Sequence, residues 1–116
     1  MAEFHEAVRE IGGSVAVDLH ESEDAYLIVA DLPGATEETT EIDATVEALR
    51  VRTHRGIDPP SGGMVIRQER PEVLEFELPM PGDAKAASAE ASLAKGVLEI
   101  RIPRGPVETE IPITEE

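Results

Sequence analysis

The strongest constraint on this chain is a hydrophobic period of two. Leu98, Ile100 and Ile102 alternate with Val97, Glu99 and Arg101, and Leu49, Val51 and Thr53 alternate with Arg50, Arg52 and His54. Leu74, Phe76 and Leu78 alternate with Val73, Glu75 and Glu77. The same spacing sets Ile42, Ala44 and Val46 against Glu41, Asp43 and Thr45, and Val15, Val17 and Leu19 against Ala16, Asp18 and His20. It recurs where Ala89, Ala91 and Leu93 alternate with Ser88, Glu90 and Ser92. Successive side chains of a strand point to opposite faces, so each run predicts a strand with one face to bury. Residues 26–32 are apolar at nearly every position, the pattern of a central strand covered on both faces.

Turn residues fall where the alternation breaks: Glu23-Asp24, Leu32-Pro33-Gly34, Val46-Glu47-Ala48, the stretch 79–82 and Ala94-Lys95-Gly96. Roughly seven or eight short strands at this spacing predict an all-β fold, an antiparallel sandwich. Three segments lie outside the pattern. Phe4, Val8 and Ile11 sit at helical spacing ahead of Gly12-Gly13, which predicts a short N-terminal helix. Residues 56–63 are rich in glycine and proline and read as a loop, leading into a candidate strand at Met64, Val65, Ile66, Arg67, Gln68, Glu69 and Arg70 that Pro71 stops. Residues 105–116 read as a flexible acidic tail. The expected organisation is an arm over 1–14, one domain over 15–104 and a tail over 105–116.

Composition narrows the chemistry. With no cysteine among 116 residues, disulfides, thiolate metal sites and cysteine nucleophiles are excluded. His5, His20 and His54 are scattered over faces assigned to solvent, in no triad order and no metal-binding spacing, and neither phosphate-binding glycine motif is present. The expectation is therefore not an enzyme, with no cofactor and no metal. The formal net charge is −15, from 25 acidic against 10 basic residues, which disfavours nucleic acid and anionic membranes as partners. So many carboxylates with so few lysines fit either an ordinary solvated surface or a halophilic interior. No apolar run is long enough to span a membrane and the first residues do not form a signal peptide, so a cytoplasmic location is expected.

The tail motif Ile111-Pro112-Ile113 has two readings. In an extended segment both isoleucines project to one side, and Pro112 suits a peptide lying along a sheet edge, which makes a weak latch. Alternatively it is a hydrophobic pair in a frayed tail.

Four motifs in register carry a family resemblance. Ala91-Ser92-Leu93-Ala94-Lys95-Gly96-Val97-Leu98-Glu99-Ile100 resembles the A-x-L-x-N-G-V-L-x-I signature of the small heat-shock proteins, or α-crystallin domains. Asp31-Leu32-Pro33-Gly34 is similar to their D-L-P-G, Phe76-Glu77-Leu78-Pro79 to their F-x-L-P, and Ile111-Pro112-Ile113 to their I-x-I tail. The likeness runs over about residues 15–113. It implies an immunoglobulin-like sandwich whose groove between two edge strands takes a neighbour's I-x-I motif. Carried over, the groove strands are Ile42-Ala44-Val46 and Ala89-Ala91-Leu93. Residues 64–70, with Arg67-Gln68-Glu69-Arg70 similar to the family's R-x-E-R, take the place of the strand that pairs with a partner subunit. The arm residues Phe4, Val8 and Ile11 would contact clients. Four departures stand out: the arm is short, Leu74 stands where the family has arginine, Lys95 stands where it has Asn or Asp, and the connection after Arg70 is shortened.

The expected function is an ATP-independent holdase that binds partly unfolded proteins and associates with itself, as a dimer or a higher homo-oligomer. The competing expectations are a dedicated assembly factor or co-chaperone of the same fold, such as a gas-vesicle accessory protein, and an unrelated immunoglobulin-like adhesion module.

Overall fold

A computed structural model describes residues 2–9, 15–56, 60–105 and 111–115. It opens with helix α1 (Ala2–Arg9) and continues through seven strands among the described residues: β1 (Val17–Glu21), β2 (Ala25–Asp31), β3 (Thr40–Ala44), β4 (Ala48–His54), β5 (Val73–Pro79), β6 (Glu90–Ala94) and β7 (Val97–Pro103). The strands form two antiparallel sheets, one ordered β1-β2-β7-β6 and the other β3-β4-β5. This is the expected immunoglobulin-like sandwich.

The period of two accounts for the core. The buried residues of β4 (Leu49, Val51, Thr53), β5 (Leu74, Phe76, Leu78) and β7 (Leu98, Ile100, Ile102) are the inward members of the alternating runs. They meet Tyr26, Ile28, Ala30 and Leu32 from β2 and the residue that follows it. Within the second sheet, Val51 stands opposite Phe76 and Thr53 opposite Leu74. Thr53 is the one buried polar side chain among the described residues, and its hydroxyl is 2.9 Å from that of Thr40, so it carries no unmet hydrogen bond.

Several expectations change. The run 26–32 buries one face only: Ile28 and Ala30 are inside, but Leu27 remains 36% exposed, because the sheet has no second layer behind it. The first strand begins at Val17 rather than Val15, although Val15 still packs against the core. Ala89 follows a 3-10 turn (Ala86–Ser88) and precedes β6. Residues 64–70 form no strand and pair with none of the seven strands. Leu74, at the position where the family carries arginine, is 3% exposed and adds to the core. The helix is described only to Arg9, so Ile11 and the glycine stop lie outside the described residues.

The hairpin between β6 and β7 is a two-residue turn with positive φ at both positions, +52° at Lys95 and +76° at Gly96. Gly96 also lets two backbones approach, because its carbonyl accepts the Leu32 N–H at 2.7 Å and a Cβ there would lie 3.3 Å from the Leu32 oxygen.

Candidate functional site

The two sheets leave β3 and β6 as edge strands, each hydrogen-bonded on one side only. Between them lies an open groove of about 320 Å³ lined by Glu37, Thr40, Ile42, Ala91, Ser92, Leu93 and Leu98. Alternation builds its floor. On β3, Thr40 and Ile42 share a face; on β6, Ala91 and Leu93 do, standing opposite the buried Ile100 and Leu98 of β7. Ile42 is 38% exposed, a large aliphatic side chain left half in water at an unpaired edge.

Of the six groove residues expected from the sequence, Ile42, Ala91 and Leu93 are brought together, and Ala44, Val46 and Ala89 are not among the lining residues. The reason is strand length. β3 ends at Ala44, and Val46 falls in the exposed turn to β4, which Thr45 closes by accepting the Glu47 and Ala48 N–H groups on its hydroxyl. Thr40, the first residue of β3, reaches the groove in phase with Ile42, whereas Glu37 reaches it through the 3-10 turn Glu37–Thr39 that leads into the strand, a placement that no alternation signals.

The tail isoleucines Ile111 and Ile113 are solvent-exposed and lie in a segment without secondary structure. Pro112 between them is exposed as well.

A second concave surface is formed by Arg55 and residues 64–70. Met64, Val65 and Ile66 are consecutive and solvent-exposed there, Ile66 at 93%. Arg67 pairs with Glu69, and the Gln68 amide donates to the Arg70 carbonyl at 3.0 Å. The base of this excursion is closed by Arg55, whose backbone N–H donates to the Glu72 carbonyl at 2.7 Å.

The arm is docked. Phe4 enters a slot at one end of the sandwich lined by Leu19, Tyr26, Ile28, Leu78 and Ile102 among others, and its ring meets Tyr26 edge-on at 5.9 Å between centroids. His5 Nε2 lies 3.0 Å from a Glu21 carboxylate oxygen, and Val8 is half-buried.

Beside that slot lies a polar junction that the sequence reading missed. The Tyr26 phenol donates to Asp83 Oδ1 at 2.7 Å, Arg104 Nε donates to Asp83 Oδ2 at 2.8 Å, and Arg104 Nη1 donates to the Ser22 carbonyl at 2.6 Å. The guanidinium lies 4.9 Å from the centre of the Tyr26 ring. The phenol hydrogen bond, aided by Arg104, holds the Asp83 carboxyl below the usual carboxylate range against the opposing effect of burial. Burial, then the bond to Asp83, pushes the Tyr26 phenol up. This junction is structural: it ties the end of β7 to the turn after β5 and to β2. Among the described residues no group of three or more His, Asp and Glu side chains is arranged to hold a metal ion.

Comparison with known proteins adds the family. A profile of the Hsp20/alpha crystallin family matches residues 18–114. The heat shock protein HSP.16.4 of Streptococcus thermophilus is 26% identical over 105 residues, covering 85% of this chain and 74% of that protein. The crystal structure of a small heat-shock protein from Xylella fastidiosa superposes with a TM-score of 0.70 at 26% identity, covering 90% of this chain and 97% of its own. That of hspA from Xanthomonas axonopodis gives a TM-score of 0.66 at 27% identity, covering 78% of this chain and 92% of its own.

Proposed function

The chain belongs to the Hsp20/alpha crystallin family, and on that premise we propose that it is an ATP-independent holdase that binds partly unfolded proteins and keeps them from aggregating. One observation carries the reading. An apolar groove floored by Ile42, Ala91 and Leu93 stands open between two unpaired edge strands, while Ile111 and Ile113 stand exposed on the same chain. Residues two apart in an extended peptide present their side chains on one side, so an Ile-Pro-Ile segment of a neighbouring copy matches the groove. Each buried isoleucine contributes about 1.5–3 kcal/mol, offset by the loss of freedom on docking, so the latch is weak and releasable.

The exposed Met64-Val65-Ile66 run supports self-association through residues 64–70, because three consecutive apolar side chains left in water favour burial against a partner. The Xylella fastidiosa relative has a distinct high order structure. No helix among the described residues is long and apolar enough to cross a membrane, and we place the activity in the cytoplasm.

The test is suppression of heat-induced light scattering of several unrelated client proteins without ATP. Suppression that saturates with added protein supports the holdase. Unchanged scattering for every client favours the second reading, a dedicated assembly factor or co-chaperone with a single stable partner. The docked position of Phe4 supports that alternative, because an arm residue seated against its own core is not free for many clients.

A further inference from the structure

Of the seven residues that line the groove, Glu37 is the one with a charge, and none is basic. The wall segments extend the pattern. Residues 37–44 carry Glu37, Glu38, Glu41 and Asp43, residues 90–94 carry Glu90, and neither segment holds a Lys or Arg. Three of these acids have arginines opposite them in the ladders: Glu41 faces Arg52, Asp43 faces Arg50 and Glu90 faces Arg101. Glu37 and Glu38 take part in no ion pair among the described residues. The groove mouth is thus an aliphatic floor under uncompensated negative charge.

The tail is charged with the same sign. Residues 105–116 read Gly-Pro-Val-Glu-Thr-Glu-Ile-Pro-Ile-Thr-Glu-Glu, with Glu108 and Glu110 before the motif, Glu115 and Glu116 after it, and no basic residue. Docking this segment brings carboxylates against carboxylates. Like charges juxtaposed across an interface weaken it and select against the wrong partner.

Resting on the reading that the groove takes an apolar-x-apolar segment, we infer that its preferred ligand is an extended segment of another protein with two aliphatic side chains two residues apart and Lys or Arg flanking them. The acidic tail is the weaker placeholder that such a segment displaces. The aliphatic pair supplies most of the contact, and the flanking cations supply the discrimination. Because the Debye length shrinks from about 10 Å at 0.1 M to about 3 Å at 1 M salt, the preference fades as salt rises and the tail competes better.

The experiment uses the full chain with Ile111→Ala and Ile113→Ala, so that its own tail lacks anchors, and a second version that also carries Glu37→Lys, an exposed position in a surface turn. Fluorescent peptides of residues 107–115 are compared in the native sequence and with Glu108→Lys, Glu110→Lys and Glu115→Lys, each with and without both isoleucines changed to Ala. The expected result is a preference on the order of 10-fold for the lysine peptide at 0.1 M salt, narrowing to about 2-fold at 1 M. It requires both isoleucines and shrinks with Glu37→Lys. Equal, isoleucine-dependent affinities at 0.1 M overturn the charge preference and leave the groove reading standing. Lysine-peptide binding that survives loss of both isoleucines overturns it as mere attraction to an acidic surface. No isoleucine-dependent binding by either peptide overturns the groove reading and this inference together.

Discussion

Arg55 holds Pro33 by a side-chain hydrogen bond, its Nε donating to the Pro33 carbonyl at 2.9 Å, while its Nη1 donates to the Pro71 carbonyl at 2.9 Å. One residue at the end of β4 thereby pins the neighbouring loop and the far end of the excursion over residues 56–71. Deleting residues 58–69 removes the exposed apolar run without disturbing either anchor. The expected outcome is a monomer with unchanged β-sheet circular dichroism, checked by light-scattering mass. A deletion variant that stays dimeric places the interface elsewhere.

The tail latch predicts a change of mass rather than of fold. Ile111→Ala with Ile113→Ala removes two side chains that contribute nothing to the core of their own subunit. Higher assemblies should fall to dimers, because many tethered latches act together and are lost together. The melting temperature of the domain should hold. Unchanged mass at micromolar concentration makes the motif an idle tail.

The junction of Tyr26, Asp83 and Arg104 sets a pH window. Asp83 titrates below its ordinary 3.8 in the folded state, so its contribution is present above about pH 4 and is lost as pH falls through the lowered folded value. Tyr26 titrates above its ordinary 10.0, so its contribution is complete below about pH 10 and is lost as pH rises towards the raised folded value. Tyr26→Phe removes a hydrogen bond to a charged group and should destabilise by about 1.5–3 kcal/mol at pH 7. In urea unfolding at fixed protein concentration, that difference should narrow at pH 3 and again at pH 11. A difference constant from pH 3 to 11 would exclude the bond as its source.

Lys95 occupies a left-handed conformation, φ +52°, in a turn that Asn adopts more readily. Lys95→Asn should raise stability by a few tenths to about 1 kcal/mol, read as a higher melting temperature. No change or a decrease means that the lysine makes a compensating contact.

Much of the fold was legible because burial repeats every second residue: Leu49, Val51, Leu74, Phe76, Leu98 and Ile100 were each placed inside by alternation alone, and each is buried. The nearly continuous apolar run 26–32 misled, since period gives no sign of whether a second layer exists, and Leu27 and Val29 face outward. The groove was half legible. Ile42, Ala91 and Leu93 follow from strand alternation, and Thr40 is in phase with Ile42 on β3, whereas Glu37 arrives by a 3-10 turn and Val46 is lost to a turn. The Asp83 and Arg104 contacts were hidden by abundance: in a chain with 25 acids, nothing in the sequence sets one Asp apart.

That same abundance yields a salt prediction. Across β3, β4 and β5 the outward positions form rows, Glu41-Arg52-Glu75 and Asp43-Arg50-Glu77, each with one arginine between two acids. Arg50 donates to Glu77 from Nε at 3.2 Å and from Nη2 at 3.0 Å. With net charge −15, the melting temperature should rise between 0.1 and 1 M salt, and more steeply in Arg50→Gln, whose row keeps two unscreened acids. A flat profile in both proteins would make the acidity ordinary surface charge.

Tyr26 is the single tyrosine of a chain without tryptophan. Every photon of intrinsic emission excited near 280 nm therefore leaves from one ring, wedged between Phe4, Arg104 and the Asp83 carboxylate. A carboxylate that accepts the phenol proton quenches tyrosine emission, so the folded protein is built dim. Opening of the arm or of the junction brightens it, which makes the unlabelled molecule its own optical gauge of that one end of the sandwich.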